Sequence, residues 1–198
     1  VVMGVQASLR VAVADGADPA DAEAAMRAAW SRLAALEAVM SDYRTDSELS
    51  RLNARAGDGP VPVSGELAAV LARSAALAEE TGGAFDVTVG PLVDQWRATR
   101  RTGRLAPAAE RTAARGLVGR ELLRLDAGAG TAELVRPGMR LDLGGIGKGW
   151  GAAAALDVLR DAGFPRALVS IAGDVAAGDP PPGRAGWRVR AGRDGEAD

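Results

Sequence analysis

The sequence predicts an α+β fold in which helices alternate with short strands that pair antiparallel. In several stretches, apolar residues recur at spacings of three and four, which is the periodicity of a helix with one buried face. Between and after these stretches lie short apolar segments separated by turns that contain glycine and proline, as in a strand meander. This alternation favours an α+β fold over a doubly wound parallel sheet.

The N-terminal part is predicted to form a strand and then a long helix. Apolar alternation over residues 5–13 indicates the strand, which ends at the turn residues 15–16. Asp18 is the predicted N-cap of the helix, and Pro19 occupies its first position. The buried face of this helix is predicted to consist of Met26, Trp30, Leu33, Leu36 and Met40.

A polar loop with a short helical turn is predicted over residues 41–53. Asp46 or Ser47 can cap that turn, because both side chains accept hydrogen bonds from backbone N–H groups. After a proline-containing linker at residues 60–62, Ser64 is predicted to cap a second helix.

The second helix is predicted to end at residues 82–83, both glycine. An extended segment is expected at residues 84–89, stopped by the Gly-Pro pair at 90–91, and a third helix at 107–117. The intervening basic residues are interpreted as a solvated loop; they are Arg97, Arg100, Arg101 and Arg104.

The C-terminal half is predicted to be rich in strands. Residues 122–125, 132–135 and 139–143 form the expected meander, followed by strands at 167–171 and 187–190. A strand so close to the last residue would leave an unprotected sheet edge, so we expect the chain to be incomplete at its C-terminus.

The amino-acid composition excludes several classes of functional site. The chain has 198 residues, a net charge of −2, and neither cysteine nor histidine. These values exclude disulfides, thiolate metal sites and imidazole bases, and they make nucleic acid an unlikely partner because there is no basic field. A bound metal would need oxygen ligands. No apolar run has membrane-spanning length, and the sequence does not define a localisation.

The only lysine among 24 basic residues, Lys148, lies in a glycine-rich loop. The loop is predicted to join a strand at residues 140–143 to a helix at 151–162, and such junctions present free N–H groups to anions. We expect Gly145 and Gly147 to exclude bulky side chains, because the backbone would approach a ligand there.

Two known phosphate loops fit this segment poorly. The P-loop pattern fails because Asp142 stands where its first glycine should be, and Gly149 where Ser or Thr should follow lysine. A dinucleotide fingerprint can be forced onto residues 147–152, but it comes too late in the chain. A tight turn that packs a helix on a sheet remains an alternative that accounts for the glycines but not for Asp142 and Lys148.

Four segments in order resemble the ApbE family of FAD:protein FMN transferases. They are residues 3–4, 40–53, 81–93 with Trp96, and 141–149. The resemblance implies a T-fold-like α+β core that binds FAD in a groove. It also implies that Mg²⁺ assists cleavage of the FAD pyrophosphate and that FMN passes to a Thr or Ser hydroxyl of an acceptor protein.

Carried over by position, the resemblance implies seven flavin-nucleotide contacts: Met3, Tyr43, Ala84, Phe85, Asp86, Asp142 and Lys148. Gly145 is implied as a metal ligand through its backbone carbonyl, and no catalytic residue is assigned. Tyr43 could instead be a surface-loop hydroxyl, and either Asp a cap or turn residue.

The resemblance implies one domain over residues 1–198 that lacks the family's C-terminal metal-binding region. We therefore expect the chain alone not to transfer FMN; the alternatives are a non-catalytic FAD-binding module and an inactive fragment. The implied partners are FAD and an acceptor protein. Contact with a membrane is expected only through an upstream lipid anchor, since members of the family are often exported and membrane-anchored.

Overall fold

The computed structural model describes residues 1–13 and 18–189, and within them helices and short antiparallel strands alternate. The helices are α1 (Pro19–Met40), α2 (Glu48–Ala54), α3 (Gly65–Glu80), α4 (Gly90–Thr102), α5 (Ala108–Arg115) and α6 (Gly147–Asp161). The strands are β1 (Ala7–Val11), β2 (Val61–Pro62), β3 (Leu123–Asp126), β4 (Thr131–Leu134), β5 (Ala167–Ile171) and β6 (Asp174–Ala177). Short 3₁₀ helices occupy Val87–Val89 and Arg120–Leu122. The predicted α+β class is confirmed.

The chain divides into two compact units, of which unit 1 comprises Val1–Leu33 and Gly151–Asp198. Its sheet has the order β1-β5-β6 with antiparallel pairs throughout, and Leu9 lies opposite Val169. Small residues of the helices let them pack closely on the strands. The buried cluster consists of Val2, Leu9, Ala25, Ala29, Leu33, Ala152, Ala155, Leu156, Leu159, Ala167, Val169 and Ile171.

Two tight turns in unit 1 hold non-glycine residues at positive φ. Met3 has φ 52° in a turn closed by reciprocal Val2–Val5 hydrogen bonds of 3.0 Å. Ala172 has φ 49° at the tip of the β5–β6 hairpin. Both central residues of each turn have positive φ, as a type I′ hairpin turn requires, so the turn geometry imposes this conformation on each side chain. Met3 Cε lies 3.0 Å from where a Cβ on Gly151 would lie, which places its side chain against the unit 1 core.

Unit 2 comprises Ala34–Trp150. Its sheet has the order β2-β4-β3, again antiparallel, with Leu123 opposite Leu134 and Val61 opposite Ala132. Its fully buried large side chains are Leu36, Leu49, Leu52, Leu67, Val70, Leu71, Leu134, Met139 and Leu141.

Local capping signals located several helices correctly. Ser47 accepts a hydrogen bond from Ser50 N at the start of α2, and Ser64 accepts one from Leu67 N at the start of α3. The helix after Pro19 and the one near residue 108 are also where they were predicted. The strand predicted over residues 5–13 is shorter, because only Ala7–Val11 pair with β5.

The prediction that Gly90 and Pro91 stop an extended segment is wrong, because α4 begins there. Proline is tolerated in the first turn of a helix, where its missing N–H has no partner to lose. Residues 84–89, predicted to be extended, contain the 3₁₀ helix at Val87–Val89. The predicted solvated loop is also wrong for most of its arginines, since residues 97–101 lie within α4.

The predicted meander is partly wrong. Residues 139–143 form no strand, and the two-residue strand β2, predicted as a linker, pairs with β4 instead. Strand β6 was not predicted, and residues 187–189 form no strand, while Arg190 and the predicted turn at 15–16 lie outside the described residues. Helix α6 begins at Gly147 rather than at residue 151. No helix in the described part of the chain is both long enough and apolar enough to cross a membrane.

Candidate functional site

The backbone before the glycine-rich loop is held by a single side-chain amide. Asn53 Nδ2 donates to the Leu141 carbonyl at 3.1 Å, and Leu141 N donates to Asn53 Oδ1 at 2.8 Å. Asp142 N donates to the Val87 carbonyl at 2.8 Å. Partners on two sides therefore fix residues 141–142, although these residues belong to no strand.

The start of α4 packs closely on the same segment. Gly90 N donates to the Arg140 carbonyl at 3.1 Å, and a Cβ on Gly90 would lie 2.7 Å from the Arg140 carbonyl carbon. Only glycine permits this approach of two backbones. The contact sets the position of α4, which carries Arg97.

Arg97 links two carboxylates and an aromatic ring; Asp42, Tyr43, Arg97 and Asp142 are called the Arg97 cluster below. Arg97 Nη1 donates to Asp42 Oδ2 at 2.6 Å, and Nη2 donates to Asp142 Oδ2 at 3.0 Å. Both carboxylate side chains are 11% exposed, whereas that of Arg97 is 36% exposed. The Arg97 guanidinium carbon lies over the Tyr43 ring, 5.1 Å from its centroid, within the range of a cation–π interaction.

The environment of Arg97 keeps it charged. Burial lowers the pKa of Arg97, but the hydrogen bond and charge of Asp42, with the charge of Asp142, outweigh burial and raise that pKa above its ordinary value. Two carboxylates and one guanidinium carry a formal charge of −1. The cluster therefore has no excess positive charge to offer an anion.

The Asp142 carboxylate is oriented through both of its oxygens. Oδ1 accepts a hydrogen bond from Gly144 N at 2.8 Å, while Oδ2 accepts from Arg97. The Gly144 carbonyl in turn accepts from Lys148 Nζ at 2.8 Å. Asp142 and Lys148 thus contact the same glycine, one at its N–H and the other at its carbonyl.

The glycines of this loop differ in what surrounds them. A Cβ on Gly145 would lie 3.1 Å from Phe85 Cε2, so the protein itself crowds that position. A Cβ on Gly147 or Gly149 would meet no atom within 4 Å, and neither residue has a positive φ. At Gly147 the protein's own atoms therefore do not impose the expected exclusion of side chains. Neither packing nor backbone conformation explains glycine at 147 and 149.

Asp86 is engaged within its own turn. Its Oδ1 accepts from Thr88 N at 2.8 Å and from Thr88 Oγ1 at 2.7 Å, which caps the 3₁₀ helix. Thr88 Oγ1 accepts from Gly119 N at 2.8 Å. Asp86 also lines a cavity of about 330 Å³ with Gly82, Gly83 and Arg120. The exposed Ala84 donates from its N to the Thr81 carbonyl at 3.2 Å.

A second cavity, of about 500 Å³, reaches the Arg97 cluster at Asp42. Asn53, Asp94 and Arg140 also line it. Arg140 is held there, because Nη2 donates to the Asp42 carbonyl at 3.2 Å and Nε lies 3.5 Å from Asp94 Oδ2.

The structure brings some of the predicted site residues together. Tyr43 and Asp142 meet through Arg97, Phe85 lies against Gly145, and Lys148 folds back on the loop. Met3 belongs to unit 1.

Sequence reasoning missed Arg97 and Asp42. A signal was available, because Asp42 lies within the resembling segment at residues 40–53 and Arg97 directly follows Trp96.

The described residues do not make a complete metal site. Across residues 1–13 and 18–189, no group of three or more Asp or Glu side chains could hold a metal ion. A single carbonyl at Gly145 falls well short of the six oxygen ligands that Mg²⁺ prefers.

Known proteins resemble this chain in sequence. The ApbE family model matches residues 3–195. The FAD:protein FMN transferase of Vibrio cholerae is 36% identical over 138 residues, 69% of this chain and 41% of its own length. That of Treponema pallidum is 35% identical over 173 residues, 85% of this chain and 48% of its own length. The chain thus spans about half the length of these curated relatives.

Solved structures show the same fold. A mutant of the flavin transferase ApbE from Vibrio cholerae superposes with a TM-score of 0.85 at 29% identity, covering 95% of this chain and 64% of that one. The apo flavinyl transferase ApbE of Pseudomonas stutzeri gives a TM-score of 0.79 at 27% identity, covering 93% of this chain and 61% of that one. The family-model match over nearly the whole sequence, together with this shared fold, shows that the chain belongs to the ApbE family.

Proposed function

We propose that this chain supplies the FAD-binding part of an FAD:protein FMN transferase. The proposed reaction is Mg²⁺-dependent transfer of FMN from FAD to a Thr or Ser hydroxyl of an acceptor flavoprotein. Family membership and the names of the curated relatives support it. We further propose that residues 1–198 act as one functional domain.

The observation that carries the proposal is the surroundings of Asp142. This carboxylate is oriented by two hydrogen bonds, and Arg97 links it to Tyr43, which is 74% exposed. It also precedes a loop in which Gly147 and Gly149 leave open space. A nucleotide needs these three elements: a flat face for a ring, an acceptor for ribose or adenine donors, and a backbone without side chains near its diphosphate.

On this basis we assign roles to predicted contact residues. Tyr43 stacks on a ring, and Asp142 accepts a hydrogen bond from the nucleotide. Lys148 and the N-terminal turn of α6 offset charge on the diphosphate, because an ammonium and the N-terminus of a helix both attract anions. Ala84 and Phe85 offer apolar contacts.

Asp86 offers a nucleotide only one of its two oxygens. One of its oxygens already accepts two hydrogen bonds from Thr88. We propose that any nucleotide contact uses the other oxygen, Oδ2.

The transfer breaks the FAD pyrophosphate bond. The acceptor hydroxyl loses its proton and bonds to the FMN phosphorus, and AMP leaves. Mg²⁺ does not fit the described residues as a resident ion, since they offer it no carboxylate cluster. We propose that Gly145 contributes at most its carbonyl. None of the described side chains is assigned as the base.

FAD titration of the 198-residue chain tests the binding proposal. Asp142→Ala and Tyr43→Ala should each weaken FAD binding, Asp142→Ala by roughly tenfold or more because it removes a charged hydrogen-bond acceptor. Asp157→Ala is the matched control, because Asp157 is an exposed carboxylate on α6. Unchanged affinity in both site variants would refute the assignment.

A non-catalytic FAD-binding module is the second candidate. The absence of a carboxylate cluster within residues 1–13 and 18–189 favours it. FAD binding without FMN transfer, with Mg²⁺ and an acceptor present, would support this candidate. Failure to bind FAD at all would indicate an inactive fragment.

A further inference from the structure

We infer that Arg97 is a positioning residue that holds both Asp142 and Tyr43 in the geometry that receives the nucleotide. This inference rests on the proposed FAD-binding function and deepens it. Arg97 is assigned no contact with FAD. Its role is to orient the two residues that would make such contacts.

Arg97 neutralises two neighbouring carboxylates. Asp42 and Asp142 are largely buried, and Arg97 binds one with each terminal nitrogen. Two carboxylates that share a partly desolvated site repel each other unless a cation lies between them. Without Arg97, Asp142 would turn away from Asp42 and towards solvent.

The shape of the Arg97 guanidinium allows it to contact three partners. A guanidinium is planar and presents separate N–H groups in a fixed fork, so it can bind two carboxylates and still lie flat over a ring. An ammonium is a compact point charge without this fixed fork, so it holds the three partners less precisely. Arg97 makes these three contacts with Asp42, Asp142 and Tyr43.

Arg97 also lies over the Tyr43 ring. The guanidinium covers one face at 5.1 Å, while the residue as a whole is 74% exposed. Contact with the guanidinium favours one orientation of the ring, and most of Tyr43 stays open to a flat ring. Arg97 thereby couples the orientation of a stacking surface to that of the Asp142 carboxylate.

Position on α4 allows Arg97 to do this. Gly90 fixes the start of the helix against Arg140, and Arg97 lies two turns further along. Arg101 lies one turn beyond Arg97 and is exposed. Arg101→Gln is therefore a matched control, because it removes an equal charge from the same helix outside the Arg97 cluster.

The test uses the single tyrosine of the chain, which gives one ¹⁹F resonance when labelled as 3-fluorotyrosine. Arg97→Gln should shift this resonance in the ligand-free protein and weaken FAD binding by roughly tenfold or more. Arg101→Gln should change neither. Arg97→Lys keeps the charge but not the fork, so it should shift the resonance and lose several-fold in affinity; it also replaces Arg97→Gln if that variant does not fold.

A double variant tests the role of charge. Asp42→Asn should restore part of the FAD affinity lost in Arg97→Gln, because it removes the carboxylate that repels Asp142. No recovery would overturn the neutralising role of Arg97.

An unchanged resonance and unchanged FAD affinity in Arg97→Gln would overturn the whole inference. If the unmodified chain binds no FAD, the proposed function fails. The ligand-free resonance then still decides whether Arg97 orients Tyr43.

Discussion

Asn53 acts on the candidate site through the backbone rather than through a ligand. Its amide bonds both the N–H and the carbonyl of Leu141, the residue before Asp142. Leu141 is fully buried, so water cannot replace these bonds without opening the structure. The position of the Asp142 carboxylate therefore depends on a side chain of α2.

Replacing Asn53 should measurably destabilise the fold. Asn53→Ala leaves a buried donor and a buried acceptor unpaired, so we expect the free energy of unfolding to fall by about 1–3 kcal/mol. Denaturant unfolding measures this change. Asn53→Asp keeps an acceptor for Leu141 N but places oxygen against the Leu141 carbonyl, so it should not restore stability. Wild-type stability in Asn53→Ala would contradict the role described.

Glycine substitutions should separate packing from ligand approach. Gly90→Ala places a methyl group against the Arg140 carbonyl and should cost about 1–3 kcal/mol by overpacking. Gly149→Ala meets open space within α6 and should stabilise the fold by up to about 1 kcal/mol. Thermal or denaturant unfolding distinguishes the two. If FAD approaches this loop, Gly149→Ala and Gly147→Ala should lower FAD affinity without lowering stability, and unchanged affinity in both would argue against that approach.

At the scale of elements, α2 and α3 are joined by one carboxylate. Glu48, in the first turn of α2, accepts from Ser64 N at 2.6 Å and from Ser64 Oγ at 2.7 Å. Ser64 also caps α3 by accepting from Leu67 N at 3.2 Å. The Ser64 hydroxyl therefore acts as a donor and an acceptor at once.

This double role predicts an unusual order of N-cap substitutions. Ser64→Ala should cost about 0.5–2 kcal/mol of unfolding free energy, as is usual for a lost cap. Ser64→Asp is normally a good cap, but here it places a carboxylate against Glu48, so we expect it to be at least as destabilising as alanine. Adding Glu48→Gln should relieve the effect of Ser64→Asp. Denaturant unfolding of these variants measures the order, and a Ser64→Asp protein as stable as wild type would contradict it.

The elements that could be predicted from sequence are those set by local chemistry. Ser64 and Gly82 define the ends of α3 through capping, and Pro19 begins α1. Residues 139–143 could not be predicted, because the partner of Leu141 is a side chain distant in sequence. Strand β2 has only two residues and depends on pairing with β4.

In the candidate site, too, residues within local motifs could be predicted, whereas contacts between distant residues could not. The resemblance indicated Tyr43, Asp142 and Lys148, and the structure places all three near the glycine-rich loop or the Arg97 cluster. Arg97 was misassigned, since an arginine followed by further arginines is typical of a solvated segment. Its pairing with Asp42 spans 55 positions, and no local pattern encodes it.

At the scale of the whole molecule, the chain corresponds to only part of the length of its relatives. The chain covers 64% of the Vibrio cholerae structure, and 41% of the corresponding curated relative lies within the sequence match. The described residues contain an oriented carboxylate, an exposed aromatic ring and an open glycine loop, but no carboxylate cluster for a metal. FAD binding and FMN transfer can be measured in separate experiments.

We expect the 198-residue chain to bind FAD without transferring FMN. Phosphoryl transfer depends on positioning and on neutralisation of charge by metal ions, and the protein contributes little covalent chemistry of its own. With one carbonyl offered by Gly145, Mg²⁺ would be held mainly by water and the diphosphate, which orients it poorly. The chain also has no histidine to take the proton of the acceptor hydroxyl. Incubation with FAD, Mg²⁺ and a threonine-bearing acceptor, followed by mass spectrometry of the acceptor, measures transfer. The full-length transferase of Vibrio cholerae is the positive control, and transfer by this chain at a comparable rate would show that its own residues complete the catalytic site.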